Sequence, residues 1–393
     1  MIRILALLFV FTMLFAIGLK AQEKNPLDLK AMMPEEIREE NVFMSDDQYT
    51  WCSSVIEGED GKFHMFYSRW AHGKRAETDD PMNHIFDGFN GWLKYSEIAY
   101  AVSDHITGPY HYVKTILKGD GDPNKWDRYT MHNPQIRKFG KDYYLYYISN
   151  SFDPNFTVPN AKFGKDWAHW LKYNCTQKIG VLKAGSIVDL VSGKFEKATA
   201  PLLEADNKRT FEVTTNPSVT EGPDGKYYMI FKSRKPNVGN MTMWMAVSDR
   251  PDRPFKIISE VFTEADLACE DPFLWYDKKR KRFYAAVKYY ANSKVLAPQF
   301  GALALITSVD ATHWEAAMHS VISLRSVQFS GKGELALAHL ERPFLIFDRK
   351  GNPKALFAAA SILEPTKGDI THVIPEYNTF SIGFELSDKK GKN

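Results

Sequence analysis

The sequence predicts an all-β fold, a five-bladed β-propeller with four antiparallel strands per blade. Two observations predict it. One local pattern recurs five times: a polar opening, an apolar strand, a turn, then an aromatic-rich strand. Further strand-like runs follow most copies, bringing each unit to a four-stranded sheet.

The copies run in order. Trp51-Cys52-Ser53-Ser54-Val55-Ile56 leads to Asp60-Gly61-Lys62 and Phe63 to Tyr67. His132-Asn133-Pro134-Gln135-Ile136 leads to Gly140-Lys141-Asp142 and Tyr143 to Tyr147. Thr215-Asn216-Pro217-Ser218-Val219 leads to Asp224-Gly225-Lys226 and Tyr227 to Phe231. Glu270-Asp271-Pro272-Phe273-Leu274 leads to Lys281-Arg282 and Phe283 to Val287. Glu341-Arg342-Pro343-Phe344-Leu345 leads to Gly351-Asn352 and Pro353 to Phe357. Asp-Gly and similar turns between aromatic and β-branched runs are hairpin signals. Third strands are expected at Glu97 to Val102, Ile179 to Leu182, Thr242 to Val247 and Ala302 to Thr307, and fourth strands at Tyr110 to Ile116 and Phe255 to Ile258. The fifth unit has its later strand at Phe380 to Leu386.

No Pro/Gly/Ser-rich linker divides the series, so residues 41–388 read as one propeller domain. Residues 22–40 read as a lead-in packed on the outside, with a short helix at Pro34 to Glu39, and 389–393 as a charged, frayed tail. Residues 1–21 read as a signal peptide: Arg3 gives a positive start, Ile4 to Ile17 is nearly all apolar, and Ala21 offers a small residue before a cut. The protein is therefore expected to be exported, periplasmic or secreted, with no stable membrane insertion once the leader is cut.

The 393 residues are 44% hydrophobic and 25% charged, which is core material for a globular chain. Lys and Arg number 50 against 48 Asp and Glu, and the leader takes Arg3 and Lys20 with it, leaving 48 against 48. A neutral chain gives no electrostatic case for nucleic acid. Cys52, Cys175 and Cys269 are too sparse for a disulfide framework and lack zinc spacing.

In a propeller the first strand of each blade lines the axis, so the five polar openings converge on one face. The loops joining second to third strands overhang that face, and they are long here: Ala71 to Lys94, Ser151 to Gln177, Lys235 to Met241, Ala291 to Gly301 and Leu363 to Thr379. They carry Trp92, Trp167, His169, Trp170, Tyr173, His372 and Tyr377. A polar centre walled by aromatic rings suits an oligosaccharide, since rings stack on sugar C–H faces and carboxylates bond hydroxyls. The converging groups are Asp46 and Asp47, His132 and Asn133, Asn216, Glu270 and Asp271, and His339, Glu341 and Arg342. Such residues also cap strand starts, so each alone is open to a structural reading. Carboxylates crowded at one channel repel, which raises some pKa values, and glycoside hydrolysis needs one carboxyl protonated and another ionised. Arg69-Trp70 and Ser233-Arg234, at the ends of second strands, point toward the same face.

The repeats resemble the five-bladed propeller glycosidases related to glycoside hydrolase families forty-three, thirty-two and one hundred and seventeen. The resemblance rests on His132-Asn133-Pro134, Thr215-Asn216-Pro217, Glu270-Asp271-Pro272 and Glu341-Arg342-Pro343, on Asp60-Gly61-Lys62 with Ser68-Arg69-Trp70, and on Ser96-Glu97-Ile98-Ala99 with Ser103-Asp104. It implies an exo-acting, inverting glycosidase that cleaves terminal sugars from plant or algal oligosaccharides. It implies Asp271 as orienter and tuner and Glu270 or Glu341 as acid; the base is Asp47, or Asp46, reaching the centre from just upstream of the family's blade-one position rather than matching it. Arg69, Trp70, His132, Asn133, Asn216, Arg234, His339, Arg342 and His372 are the implied substrate contacts, and His132, His339 or His372 is an alternative acid. Blade one departs from the pattern, with Cys52 where an Asp is usual, and blades two and three carry Asn at that place.

No cofactor is required by this chemistry. A structural calcium or other divalent ion in the channel stays open, with no ligand set named by the sequence. Two other readings stand beside hydrolysis: a phosphorylase with a phosphate cradle from Arg69, Arg234, Lys288 and Arg342, and a sugar-binding propeller without catalysis.

Overall fold

The computed structural model describes residues 25–75, 80, 82–157, 164–236, 241–362 and 379–388. The expected leader (1–21), His372, Tyr377 and the tail (389–393) lie outside them. A two-residue strand β1 (Val42–Phe43) precedes five four-stranded units. Blade one is β2 (Gln48–Glu57), β3 (Phe63–Ala71), β4 (Glu97–Ser103) and β5 (His111–Leu117). Blade two is β6 (His132–Phe139), β7 (Asp142–Ser149), β8 (Lys178–Ala184) and β9 (Glu196–Lys197). Blade three is β10 (Phe211–Glu221), β11 (Tyr227–Arg234), β12 (Met241–Ser248) and β13 (Lys256–Glu260). Blade four is β14 (Cys269–Asp277), β15 (Arg282–Tyr289), β16 (Leu303–Ser308) and β17 (Trp314–Ser323). A separate hairpin, β18 (Ser326–Phe329) and β19 (Gly333–Ala336), leads to blade five: β20 (His339–Phe347), β21 (Pro353–Ser361) and β22 (Thr379–Glu385).

Blade five takes its outer strand from the other end of the chain. β1 pairs antiparallel with β22, Val42 opposite Ile382 and Phe43 opposite Ser381. The ring is thus closed by main-chain hydrogen bonds between the two ends of the domain. Phe43 also packs edge-on against Tyr67 at 4.9 Å, tying the closing strand to blade one. We expect Phe43→Ala to cost about 3–5 kcal/mol, read by denaturant unfolding, because it removes a buried ring from the one seam the chain does not cross covalently. An unchanged midpoint would show that the seam carries little.

The second strands are largely apolar because neighbouring blades cover both their faces; all of β15 is buried. Outer strands are one-sided, and the first four residues of β5 are exposed. The turns of four inner hairpins place a glycine at positive φ, Gly61 at 77°, Gly140 at 60°, Gly225 at 77° and Gly351 at 76°, which a hairpin turn of this hand demands. In blade four Lys281, at 52°, takes that conformation.

Two local expectations differ. The helix expected at Pro34 to Glu39 is absent: Ile37 makes a parallel bridge to Phe329, and the first helical turn lies earlier, at Leu29–Met32. The hairpin β18–β19 offered the segment a strand partner, which outweighs a weak local helix preference. The long loop of blade two contains a helix, Lys165–Asn174, whose Leu171 and Tyr173 are buried.

Candidate active site

Each inner strand breaks its register at the same place. Bulges fall between Trp51 and Ser54, His132 and Gln135, Thr215 and Ser218, Glu270 and Phe273, and Glu341 and Phe344. In each, one residue adopts left-handed backbone: Cys52 at φ 57°, Asn133 at 53°, Asn216 at 55°, Asp271 at 57° and Arg342 at 54°. Asn and Asp tolerate this region best; Cys and Arg hold it at a cost that the surrounding ladder must offset. The bulge turns these five side chains into a circle about the axis, and hydrogen bonds link four of them in a row. The Cys52 thiol donates to Asn133 Oδ1 at 2.6 Å, Asn133 Nδ2 donates to Asn216 Oδ1, and Asn216 Nδ2 donates to Asp271 Oδ1 at 2.6 Å. Arg342 Nη1 stands 3.5 Å from Asp271 Oδ1, and its charge also reaches the Cys52 thiol.

The axis is closed beneath this circle. Phe273 packs edge-on to Phe344 at 4.7 Å, and the Arg137 guanidinium lies 4.3 Å over the Phe273 ring while Nη2 donates to Leu274 O at 2.7 Å. A void of about 10 Å³ remains among Cys52, Pro134, Pro217, Pro272 and Pro343, room for about one water.

Above the circle the charges alternate. Glu270, on β14, faces Lys288 directly across the β14–β15 ladder, and Lys288 Nζ donates to Glu270 Oε1 at 2.8 Å. Lys232, from β11, bonds Glu270 Oε2, and Lys288 also bonds Glu341 Oε1. Burial alone would raise the Glu270 carboxyl; the two ammonium groups reverse this and hold it well below its usual range. Asp271 is different. Burial raises it, the Glu270 and Glu341 charges add to this, and Arg342 only partly opposes them, so its pKa is raised. The two adjacent carboxyls are thereby pushed in opposite directions, the arrangement that separates a proton holder from an ionised partner.

On the blade-one and blade-two side an aromatic cover lies over the axis. Phe89 packs at 5.3 Å from Trp51 and 5.2 Å from Trp70, and Trp92 lies 5.0 Å from His132. His132 Nδ1 bonds Ser96 Oγ at 2.8 Å, and burial, with the Arg342 charge, depresses its pKa, so the ring is neutral. His339 Nδ1 bonds Ser361 Oγ at 2.9 Å beside Trp51.

Of the residues singled out from sequence, the structure gathers Glu270, Asp271, Glu341, Arg342, Asn133, Asn216, His132 and His339 around the axis. It does not bring Asp47 there: that carboxylate is exposed on the rim and accepts from Ser45 Oγ at 2.8 Å. Trp70 is 1% exposed, packed beneath Phe89 and stacked on Tyr49. Arg69 turns to Glu97, at 2.7 Å, and Arg234 to Glu212, at 3.3 Å. Of the four cations of a phosphate cradle, two therefore sit in ion pairs of their own, Arg69 on blade one and Arg234 on blade three, while Lys288 and Arg342 meet at the axial carboxyls. Among the described residues no group of three or more His, Cys, Asp or Glu stands ready to hold a metal ion, and no helix is long and apolar enough to cross a membrane.

The sequence reading missed Lys232 and gave Lys288 only a phosphate role. The signal was in the repeat: Thr215 pairs with Lys232 and Glu270 with Lys288, the same ladder position in successive blades.

Fold and site together define a class, the five-bladed propeller with buried carboxyls at one mouth of its axis. Solved structures of this fold include a family 117 glycoside hydrolase from the marine bacterium Zobellia galactanivorans, 14% identical over 86% of this chain and 85% of that one, with a TM-score of 0.55. An α-L-arabinofuranosidase from Lactobacillus brevis is 11% identical over 88% of this chain and 94% of that one, with a TM-score of 0.55. An endo-arabinase from Bacteroides thetaiotaomicron is 9% identical over 88% and 96%, with a TM-score of 0.53. At these identities the likeness is one of fold. No family model and no curated protein matches the sequence.

Proposed function

We propose that the protein is an exported glycoside hydrolase that removes a terminal sugar from an oligosaccharide at the axial site. The observation that carries this reading is the pair of adjacent carboxyls, Asp271 raised and Glu270 lowered, on a fold shared with glycoside hydrolases. Asp271 is the group suited to give a proton to the leaving oxygen. Glu341, ion-paired to Lys288 on the next blade, is the carboxylate suited to accept one from water. Glu270, clamped by two lysines, keeps its charge and orients them. Asp47 stands outside this set on the exposed rim. The aromatic cover over blades one and two supports an exo mode, since a site closed on one side receives a chain end. Inversion requires roughly 6.5–9.5 Å between acid and base carboxyls, retention about 5–5.5 Å.

The test is sugar release by the mature chain from plant and algal oligosaccharides, without phosphate, followed by proton NMR of the first anomer formed. Release that Glu341→Gln lowers by about 10²-fold or more supports the assignment. Release that appears only with phosphate makes the protein a phosphorylase instead.

A second reading is favoured by one observation. Cys52 occupies the blade-one place on the axial circle, bonded to Asn133, with burial pushing its thiol far up. A neutral thiol there is neither base nor nucleophile, which favours a propeller that binds sugar without cleaving it. Binding with no turnover, unchanged in Asp271→Asn, is the outcome that selects this reading.

A further inference from the structure

A second concavity opens on the same face, away from the axis, and the catalytic roles placed at the axis do not use it. It is a cleft of about 990 Å³ between the long loop of blade one, the segment joining blades one and two, and the helix-bearing loop of blade two. That volume is at the upper end of the roughly 300–1,000 Å³ of small-molecule sites. Its innermost part touches Ser96, the residue bonded to His132, so the cleft begins one side chain outward from the axial circle.

Among its described residues the charges of this cleft do not balance. Its three carboxylates each have a cation of their own. Asp80 accepts from Lys94 Nζ at 3.0 Å, and from His169 and Tyr173 as well, which brings its pKa down to about 2 against the opposing effect of burial. Glu97 holds Arg69 at 2.7 Å, and Asp120 holds Lys125. Three further cations line the cleft, Arg75, Lys118 and Arg128, and among the described residues none of them has a carboxylate in an ion pair.

The two arginines are also held in a receptive posture. The Arg128 guanidinium lies 4.6 Å over the Tyr129 ring with Nε donating to Gly121 O at 2.8 Å. That of Arg75 lies 4.8 Å over Tyr95, with Nη2 donating to Ala71 O at 2.7 Å. With only Nε engaged among the described residues, Arg128 has its terminal N–H groups to offer a planar or tetrahedral oxyanion; Arg75, whose Nε also donates to Phe86 O at 3.4 Å, offers fewer. Arg75 is half-buried, and burial lowers its pKa. The Asp87 charge and the Tyr95 ring only partly offset this, and an incoming anion would offset more of the desolvation.

We infer that this cleft binds an anionic saccharide, one bearing a uronate carboxylate or a sulfate ester, through Arg75, Lys118 and Arg128. The saccharide part rests on the carbohydrate reading above; the charge preference rests on the cleft alone. The occupant is a charged unit of a chain or a separate anionic oligomer, bound beside the axial site.

The test is calorimetric binding to the full mature chain of three oligomers of equal length: a galacturonate, a sulfated galactose and a neutral galactose. One or both anionic oligomers are expected to bind at least tenfold tighter than the neutral one. Which of the two binds tells carboxylate from sulfate. Raising salt from about 50 to 500 mM is expected to weaken that binding severalfold by screening. Lys118→Ala with Arg128→Ala, both at solvent-reachable positions, is expected to weaken it at least tenfold while leaving circular dichroism and the neutral oligomer unaffected. Asp271→Asn is expected to leave it unchanged. Equal affinity for the neutral oligomer, or an unaltered affinity in the double variant, overturns the inference. Anionic binding with no turnover of any oligosaccharide leaves the inference standing and removes the hydrolase reading.

Discussion

Asp271→Asn is expected to lower kcat/KM for oligosaccharide hydrolysis by about 10²–10⁴-fold, the range a positioned proton donor supplies. The substitution isolates the proton from the fold. Asn already occupies the equivalent left-handed position in blades two and three, as Asn133 and Asn216, so the backbone accepts it. Its Oδ1 can still take the hydrogen bond from Asn216 Nδ2 that Asp271 receives at 2.6 Å. What is lost is the capacity to hold and release a proton.

Stability reports the same group independently. The folded-state pKa of Asp271 is raised by burial and by the charges of Glu270 and Glu341. A carboxyl raised on folding keeps its proton longer in the native state than in the unfolded one. Its contribution therefore declines as pH rises from the ordinary aspartate range through the raised value, and is flat on either side. The Asn variant lacks that decline. Wild-type protein should lose stability relative to Asp271→Asn over that interval, measured by unfolding across a pH series, and the basic limb of the pH–rate profile should fall in the same interval. If the variant keeps activity within about tenfold of wild type, Asp271 is not the donor.

The pattern of turns and aromatic runs exposed the five blades because each blade repeats the same burial problem. Blade closure was less visible: β1 is two residues long, and nothing in Val42-Phe43 distinguishes a closing strand from a lead-in. The axial circle was half visible. The x-Asn-Pro, x-Asp-Pro and x-Arg-Pro openings marked the places, but the left-handed bulge that turns the residue before each proline inward is a property of the paired strands. Cys52 looked like a lost Asp and proves to be the first member of a hydrogen-bonded row ending at Asp271. Glu270 looked like the natural acid because its partners, Lys232 and Lys288, lie in strands where a lone lysine reads as solvent-facing. Cross-strand pairing buries both beside the carboxylate. The off-axis cleft was beyond reach of the sequence, since its three walls come from segments about 50 residues apart or more at their extremes, Arg75 and Arg128 among them.

Lys288 is the residue on which the charge pattern turns, and Lys288→Met is expected to destabilise the protein by about 3–5 kcal/mol at neutral pH. The residue is 8% exposed and its ammonium bridges two carboxylates, Glu270 at 2.8 Å and Glu341. Burial would lower the pKa of such an ammonium; the charges of Glu270 and Glu341 instead hold it well above its usual range, so it stays charged throughout the working pH. Met fills much the same volume, so the expected loss is electrostatic: Glu270 is left with Lys232 alone, and Glu341 loses its lysine. The sign with pH follows. Glu270, lowered in the native protein, contributes stability above the ordinary glutamate range and loses it as pH falls through the lowered value. In the variant both carboxyls rise and can neutralise themselves by protonation, so the difference between variant and wild type should shrink as pH falls through that range. Urea unfolding of both proteins at neutral and mildly acidic pH reads this directly. A deficit that stays constant with pH would mean that packing, not charge, is what Lys288 contributes, and would withdraw the argument that Glu270 is held ionised while Asp271 keeps the proton.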